Sequence, residues 1–209
     1  MPKTRDNIKG HKCNQSPVAL LLIDLINDLE FEGGEKLIAN ILPLAKNIVR
    51  LKKAAKLAGA PVIYVNDNFG KWQSDFKKLL SHCIENDLTG TPLVSKLQPE
   101  ADDYFVLKPK HSGFYSTTLD ILLSYLRTTT LIMAGVTGDF CILFTASDAY
   151  MREYKLFVPS DCVASEDPKL NKAALDLMKR RFDVNTTPST RLDLKKMFRK
   201  AAKTKSRGN

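Results

Sequence analysis

Three residues whose types do chemistry together, Asp24, Lys108 and Cys141, each stand at the end of an apolar run or just after one. Asp24 closes VALLLID, Lys108 closes YFVLK, and Cys141 follows LIMA within the stretch GVTGDFC. A thiolate is a nucleophile, and a helix N-terminus or a nearby Lys⁺ can lower a thiol pKa from about 8.5 to roughly 3.5–7.5. An acid beside it can take the thiol proton and later return it to a leaving amine. A lysine can stabilise the thiolate and hold the acid. Backbone N–H groups at the start of the Cys141 helix can form an oxyanion hole, at about 3 kcal/mol per donor. Taken singly, each residue has a plainer role: core filler for the cysteine, turn residue for the acid, solvated cation for the lysine. The argument for a site rests on their joint placement.

That placement needs a fold that brings strand ends to one edge. Apolar strand-like runs alternate with helical spacing along the chain: Val18–Asp24, then helix over 35–59, Pro61–Asn66, a short helix within 74–85, and Tyr104–Lys108. There follow a helix from a Ser116/Thr117 cap to about Arg127, Thr130–Gly135, the Cys141 helix, Leu156–Pro159, a helix opened by Asp167/Pro168, and a sixth strand over Asp183–Thr187. Pro43 marks a kink or a second start in the first helix, and Gly59 its stop. Strands without alternation, separated by helices, predict a parallel sheet covered on both faces. The fold class is α/β: three layers, α/β/α, around a six-stranded, mainly parallel sheet. In such sheets sites lie beyond the carboxyl ends of the strands, where the acid, the lysine and the thiol converge.

Composition agrees with one globular unit. The 209 residues are 44% hydrophobic and 26% charged, with no apolar run long enough to cross a bilayer. The net charge of +9 belongs to the ends: residues 1–12 carry +3, residues 191–209 carry +7, and the body is left at −1. The chain therefore divides into a basic segment 1–16, a domain 17–190 and a basic helix or tail 191–209. The tail is expected to be a solvated terminus. No RNA-binding motif, zinc spacing or aromatic interleaving argues for a nucleic-acid partner. Cys13, Cys83, Cys141 and Cys162 form no CxxC pair, and no secretory signal precedes them. Reduced thiols and a cytoplasmic setting are expected.

The segments 18-VALLLIDLINDL-29, 105-FVLKPKHSGFYSTTLDILL-123 and 130-TLIMAGVTGDFCILFTASDAYMREYKLFVPSDCVAS-165 resemble the isochorismatase-like cysteine hydrolase superfamily, over about residues 17–190. That group includes nicotinamidases and N-carbamoylsarcosine amidase. The resemblance implies a catalytic triad of Asp24, Lys108 and Cys141, and a cis peptide between Val136 and Thr137. It places the oxyanion hole on the N–H groups of Thr137 and Cys141. It also implies a homodimer or homotetramer and hydrolysis of a small amide or related C–N bond through a thioester. The runner-up reading is a catalytically silent member acting as an interaction protein through its surface or basic tails. Ile26 and Leu29 stand where many relatives have Gln and Phe. Nicotinamidases carry an acid and two histidines for a metal after strand two. Here the segment 66-NDNFGKWQSDF-76 has no His, and His82 alone falls short of a site, so neither metal nor cofactor is expected. Isochorismatases that cleave a vinyl ether lack the nucleophilic cysteine, so Cys141 argues against that chemistry. Phe69, Trp72 and Phe114 are candidates to line the substrate pocket, each with a core or interface role as its alternative. Lys110 remains open as the functional lysine, although the strand end and the S-G-F spacing favour Lys108. Ser112, Asp148 and Asp161 are assigned structural roles.

Overall fold

The computed structural model describes residues 15–68 and 75–205. Its centre is β1 (Val18–Ile23), every residue of which is buried. Both faces of β1 are covered, which is why its run is apolar without alternation. β2 (Val62–Asp67) and β4 (Thr130–Val136) flank it in parallel, with Leu20 opposite Val62 and Val18 opposite Thr130. β3 (Tyr104–Lys108) lies outside β2, and β5 (Lys155–Phe157) outside β4, so the order is β3-β2-β1-β4-β5. The sixth strand, β6 (Val163–Ala164), pairs with the far end of β4, where Gly135 faces Val163.

The sixth strand expected at 183–187 reduces to one bridge, Phe157 to Asn185. Asn185 exchanges hydrogen bonds with Leu156 (3.0 Å) and Val158 (2.9 Å), and its own Oδ1 then accepts the Thr187 N–H at 2.9 Å. That side-chain turn curls the chain away before a second pair can form. β6 instead pairs with β4 beyond the end of β5. Beyond β5 the chain turns, with the Cys162 N–H on the Pro159 carbonyl at 2.9 Å, and rejoins the same edge.

Helices cover both faces. Even positions of β1 (Val18, Leu20, Leu22) pack with α1 (Gly34–Ile41), α2 (Ala45–Leu57), α3 (Phe76–Glu85) and α4 (Thr91–Val94). Odd positions (Ala19, Leu21, Ile23) pack with α5 (Leu119–Leu126), α6 (Leu143–Met151) and α7 (Pro168–Arg181). Pro43 separates α1 from α2 with a 3₁₀ turn, Leu42–Leu44, because it has no N–H for the ladder. Gly59, at φ 84°, ends α2, and the Ala60 N–H reaches back to the Ala55 carbonyl at 2.9 Å. Buried Lys52 ties α2 to the loop before β3, pairing with Asp103 at 2.7 Å and donating to the Tyr64 hydroxyl at 3.1 Å. No helix among the described residues is long and apolar enough to cross a membrane.

The basic C-terminal segment takes the helical form offered for it, but it is not the solvated terminus expected. Leu194–Lys205 is a helix, α8, and Leu194, Met197 and Ala201 are buried in the core beside β1. They recur at i, i+3 and i+7, one face of a helix, while Lys195, Lys196 and Arg199 stay exposed. Replacing Met197 by alanine is expected to cost about 2 kcal/mol in chemical denaturation, the low end for a large-to-small core change. A solvated tail would show no such loss.

Candidate active site

Asp24 follows β1 with φ 51°, a left-handed conformation that Asp tolerates better than most residues. Its N–H bonds the Val65 carbonyl at 2.9 Å, which keeps it on the sheet while the turn aims its carboxylate across the strand ends. Oδ1 accepts the Asp67 N–H at 2.8 Å, and Oδ2 pairs with Lys108 Nζ at 2.9 Å. Lys108 is fully buried at the end of β3. Its carbonyl accepts the Asn68 N–H at 3.0 Å, and its Nζ lies 3.6 Å from Cys141 Sγ. Lys110 is exposed, which settles which lysine meets the acid and the thiol.

Cys141 lies in a π-helical turn, Gly138–Ile142, that leads into α6. Gly135 lets β4 approach β1: its φ is 132°, and a Cβ there would stand 2.0 Å from the Ile23 carbonyl oxygen. A cis peptide joins Val136 and Thr137, and the Thr137 carbonyl accepts the N–H groups of Phe140 and Ile142 at 3.2 and 3.0 Å. The Cys141 carbonyl accepts the Thr145 hydroxyl at 2.7 Å, and the same hydroxyl accepts the Gly113 N–H at 3.0 Å. Thr145, fully buried, thus joins the loop after β3 to the turn that carries the thiol.

Burial and the Asp24 carboxylate push the Cys141 thiol up to about 12, against the opposing pull of Lys108. The sequence led to the opposite expectation, a thiol made acidic by its helix and its lysine. Burial is the larger effect here because it penalises the thiolate directly. Burial also raises the Asp24 pKa, which Lys108 only partly offsets. Lys108 is itself raised: burial works against its charge, but Asp24, Cys141 and Asp67 outweigh burial. The surroundings therefore favour a neutral thiol and make Asp24 a stronger base than a solvent-exposed carboxylate. Alkylation of Cys141, followed by mass spectrometry, should be slow at neutral pH and still climbing above the free-thiol value of about 8.5. An inflection well below 8.5 would show that the lysine dominates instead.

The remaining candidates divide. Phe69 and Trp72 lie outside the described residues. Phe114 is only 5% exposed and packs in the core with Leu119 and Leu123, under the Arg152 guanidinium at 4.7 Å. That burial makes it a packing residue, in place of the expected pocket lining. Ser112 donates to Asp148, which also pairs with Arg152 at 3.2 Å. Asp161 accepts the Ser189 N–H and hydroxyl at 2.6 and 2.8 Å. Both acids tie loops to helices. Asp67 and Asn66 were not singled out in the sequence. Asn66 is fully buried and donates to the Ile26 carbonyl at 2.7 Å, bracing the loop after Asp24. Asp67 ends β2 as Lys108 ends β3, one residue beyond the strand expected at Pro61–Asn66. Also unforeseen is an exposed aromatic group beside the thiol's turn: His111 lies 4.0 Å from Phe140, which meets Phe144 edge-on at 5.3 Å.

Among known proteins, the model of the isochorismatase domain matches residues 18–189. The chain is 42% identical over 160 residues to the uncharacterized isochorismatase family protein YaaI of Bacillus subtilis, covering 77% of this chain and 87% of that one. It is 28% identical over 186 residues to the ureidoacrylate amidohydrolase RutB of Yersinia enterocolitica, covering 77% and 81%. The crystal structure of N-carbamoylsarcosine amidase from Thermoplasma acidophilum shares the fold, with a TM-score of 0.63, 24% identity, and coverage of 84% and 98%.

Proposed function

The chain belongs to the isochorismatase family, and from that premise we propose that it is a cysteine-dependent hydrolase of a small amide or related C–N bond, working through a thioester on Cys141. The observation that carries the reading is the position of Lys108 Nζ, 2.9 Å from Asp24 and 3.6 Å from the Cys141 sulfur. An amidohydrolase among the relatives supports the substrate class.

The contacts of Lys108 with Asp24 and Cys141 set the order of the steps. Asp24 takes the thiol proton as Cys141 attacks the carbonyl carbon, so the thiolate exists only as the bond forms. Lys108 keeps its charge and balances the negative charge that moves from carboxylate to sulfur to oxygen. The N–H groups of Thr137 and Cys141 receive the developing oxyanion. The C–N bond then breaks, and Asp24 returns its proton to the leaving ammonia or amine. Water, giving a proton to Asp24, attacks the thioester; the acid departs, and the thiol is restored.

The test is a panel of primary amides and N-carbamoyl compounds assayed for ammonia or amine release, with acid quench and intact mass. An acyl adduct confined to Cys141 and formed at a competent rate supports the thioester. Release of product with no adduct, undiminished after Cys141 is blocked, overturns it. The family resemblance also leads us to a homodimer or homotetramer, for which the exposed apolar residues Ile121 of α5 and Met151 of α6 (72% and 67% exposed) offer a face.

A further inference from the structure

Lys108 meets one more acceptor than a three-residue mechanism needs. A lysine ammonium has three N–H donors. Three partners surround this one: Asp24 Oδ2 at 2.9 Å, Asp67 Oδ2 at 3.5 Å and Cys141 Sγ at 3.6 Å. Asp67 stands directly opposite Lys108 in the β2–β3 register. Its side chain is 33% exposed, whereas that of Lys108 is fully buried. Its backbone N–H also donates to Asp24 Oδ1 at 2.8 Å. One residue therefore touches the acid through its main chain and the lysine through its side chain. Among the described residues, the charged and titratable groups facing Lys108 are Asp24 from the β1 end, Asp67 from β2 and Cys141 from the turn before α6.

We propose that Asp67 is a positioning residue that shares Lys108 with Asp24 and so divides the lysine's charge between the acid and the thiol. The proposal rests on the amidase reading for its purpose. If Lys108 paired with Asp24 alone, the ion pair would tighten and the carboxylate would lose basicity. Asp24 needs that basicity, because it must take a proton from a neutral thiol. The second carboxylate draws off part of the lysine's field and also holds the ammonium in place as Asp24 becomes neutral during attack. Asp67 itself exchanges no proton with substrate.

Two readouts of Asp67→Asn move in opposite directions. Loss of a nearby negative charge favours the thiolate, so iodoacetamide should alkylate Cys141 about fivefold faster at neutral pH. The amidase kcat/KM should fall by about tenfold at its optimum, and its acid limb should move to lower pH as Asp24 becomes a weaker base. Asp67→Glu should restore both towards the parent values. A loosened structure could also expose the thiol and slow turnover, but it would leave the acid limb in place, so the shift of that limb and its return in the Glu variant carry the distinction. The proposal is overturned if the Asn variant keeps the parent alkylation profile and acid limb, or if Asn and Glu variants are equally impaired. Should no amide be turned over by the parent protein, the amidase reading fails, and the alkylation profile alone still decides the role of Asp67.

Discussion

Cys141→Ala lowers amide hydrolysis by roughly a thousandfold or more, the scale seen when a covalent nucleophile is removed. The residue is half-buried and its neighbours are held by groups other than its sulfur, so the protein stays folded. The Thr145 hydroxyl bonds the Cys141 carbonyl, not the thiol, and the turn keeps its anchor in the variant. Steady-state assay beside a thermal melt separates the two effects: activity disappears while the melting temperature moves little. Asp24→Asn should fall by a comparable factor for a different reason. Its amide cannot take the thiol proton, and a thiol pushed up to about 12 has no other base within reach among the described residues. Retention of more than a tenth of the parent activity by either variant would remove the thioester mechanism.

Lys108→Met should cost about 3–5 kcal/mol of stability, because it strands the buried Asp24 carboxylate without its cation. The pH dependence has a definite sign. A carboxyl whose folded pKa is raised contributes stability below its unfolded pKa and loses it as pH rises through the folded value. Asp24 is already raised by burial, and without Lys108 it rises further. The variant should therefore be least deficient in acid and most deficient in alkali. The parent lysine, raised above 10.5, keeps its contribution until pH climbs through that higher folded value. Urea denaturation across the pH range reads this directly. Adding Asp24→Asn to Lys108→Met removes the stranded charge and should recover part of the loss. If the double variant is as unstable as the sum of the two single ones, the ion pair is not the source.

The sequence exposes the site's frame more readily than its electrostatics. Strand ends are local features: a run such as VALLLI stops at its first polar residue, so Asp24 and Lys108 announce themselves. The π turn at Cys141 and the bridge at Asn185 depend on short-range hydrogen bonds that propensity does not encode. A neighbouring lysine is visible in the chain, while the burial that raises the thiol pKa is a property of the packed molecule. Asp67 was missed for a related reason. Its partnership with Lys108 requires the register between two strands about forty residues apart in sequence. In α8 the apolar positions Leu194, Met197 and Ala201 are visible in the sequence, but the dense lysines around them drew attention to charge. For Phe114 the sequence leaves pocket lining and a core role both open, and the chain turns it into the core.

The central place of β1 has a consequence for synthesis of the protein. The strand emerges early but has two edges to satisfy. β2 can dock soon after, yet the other edge waits for β4, since Val18 pairs with Thr130. At about 5–20 residues per second, the 62 residues between the end of β2 and the start of β4 take roughly 3–12 s, during which an apolar strand edge is open on the ribosome. The face of β1 beneath α8 stays uncovered longer still, until α8 itself is made. A nascent chain stopped before α8 would hold Asp24, Lys108 and Cys141 together over a core still open on one side. Such a chain is a substrate for chaperones rather than a shorter enzyme.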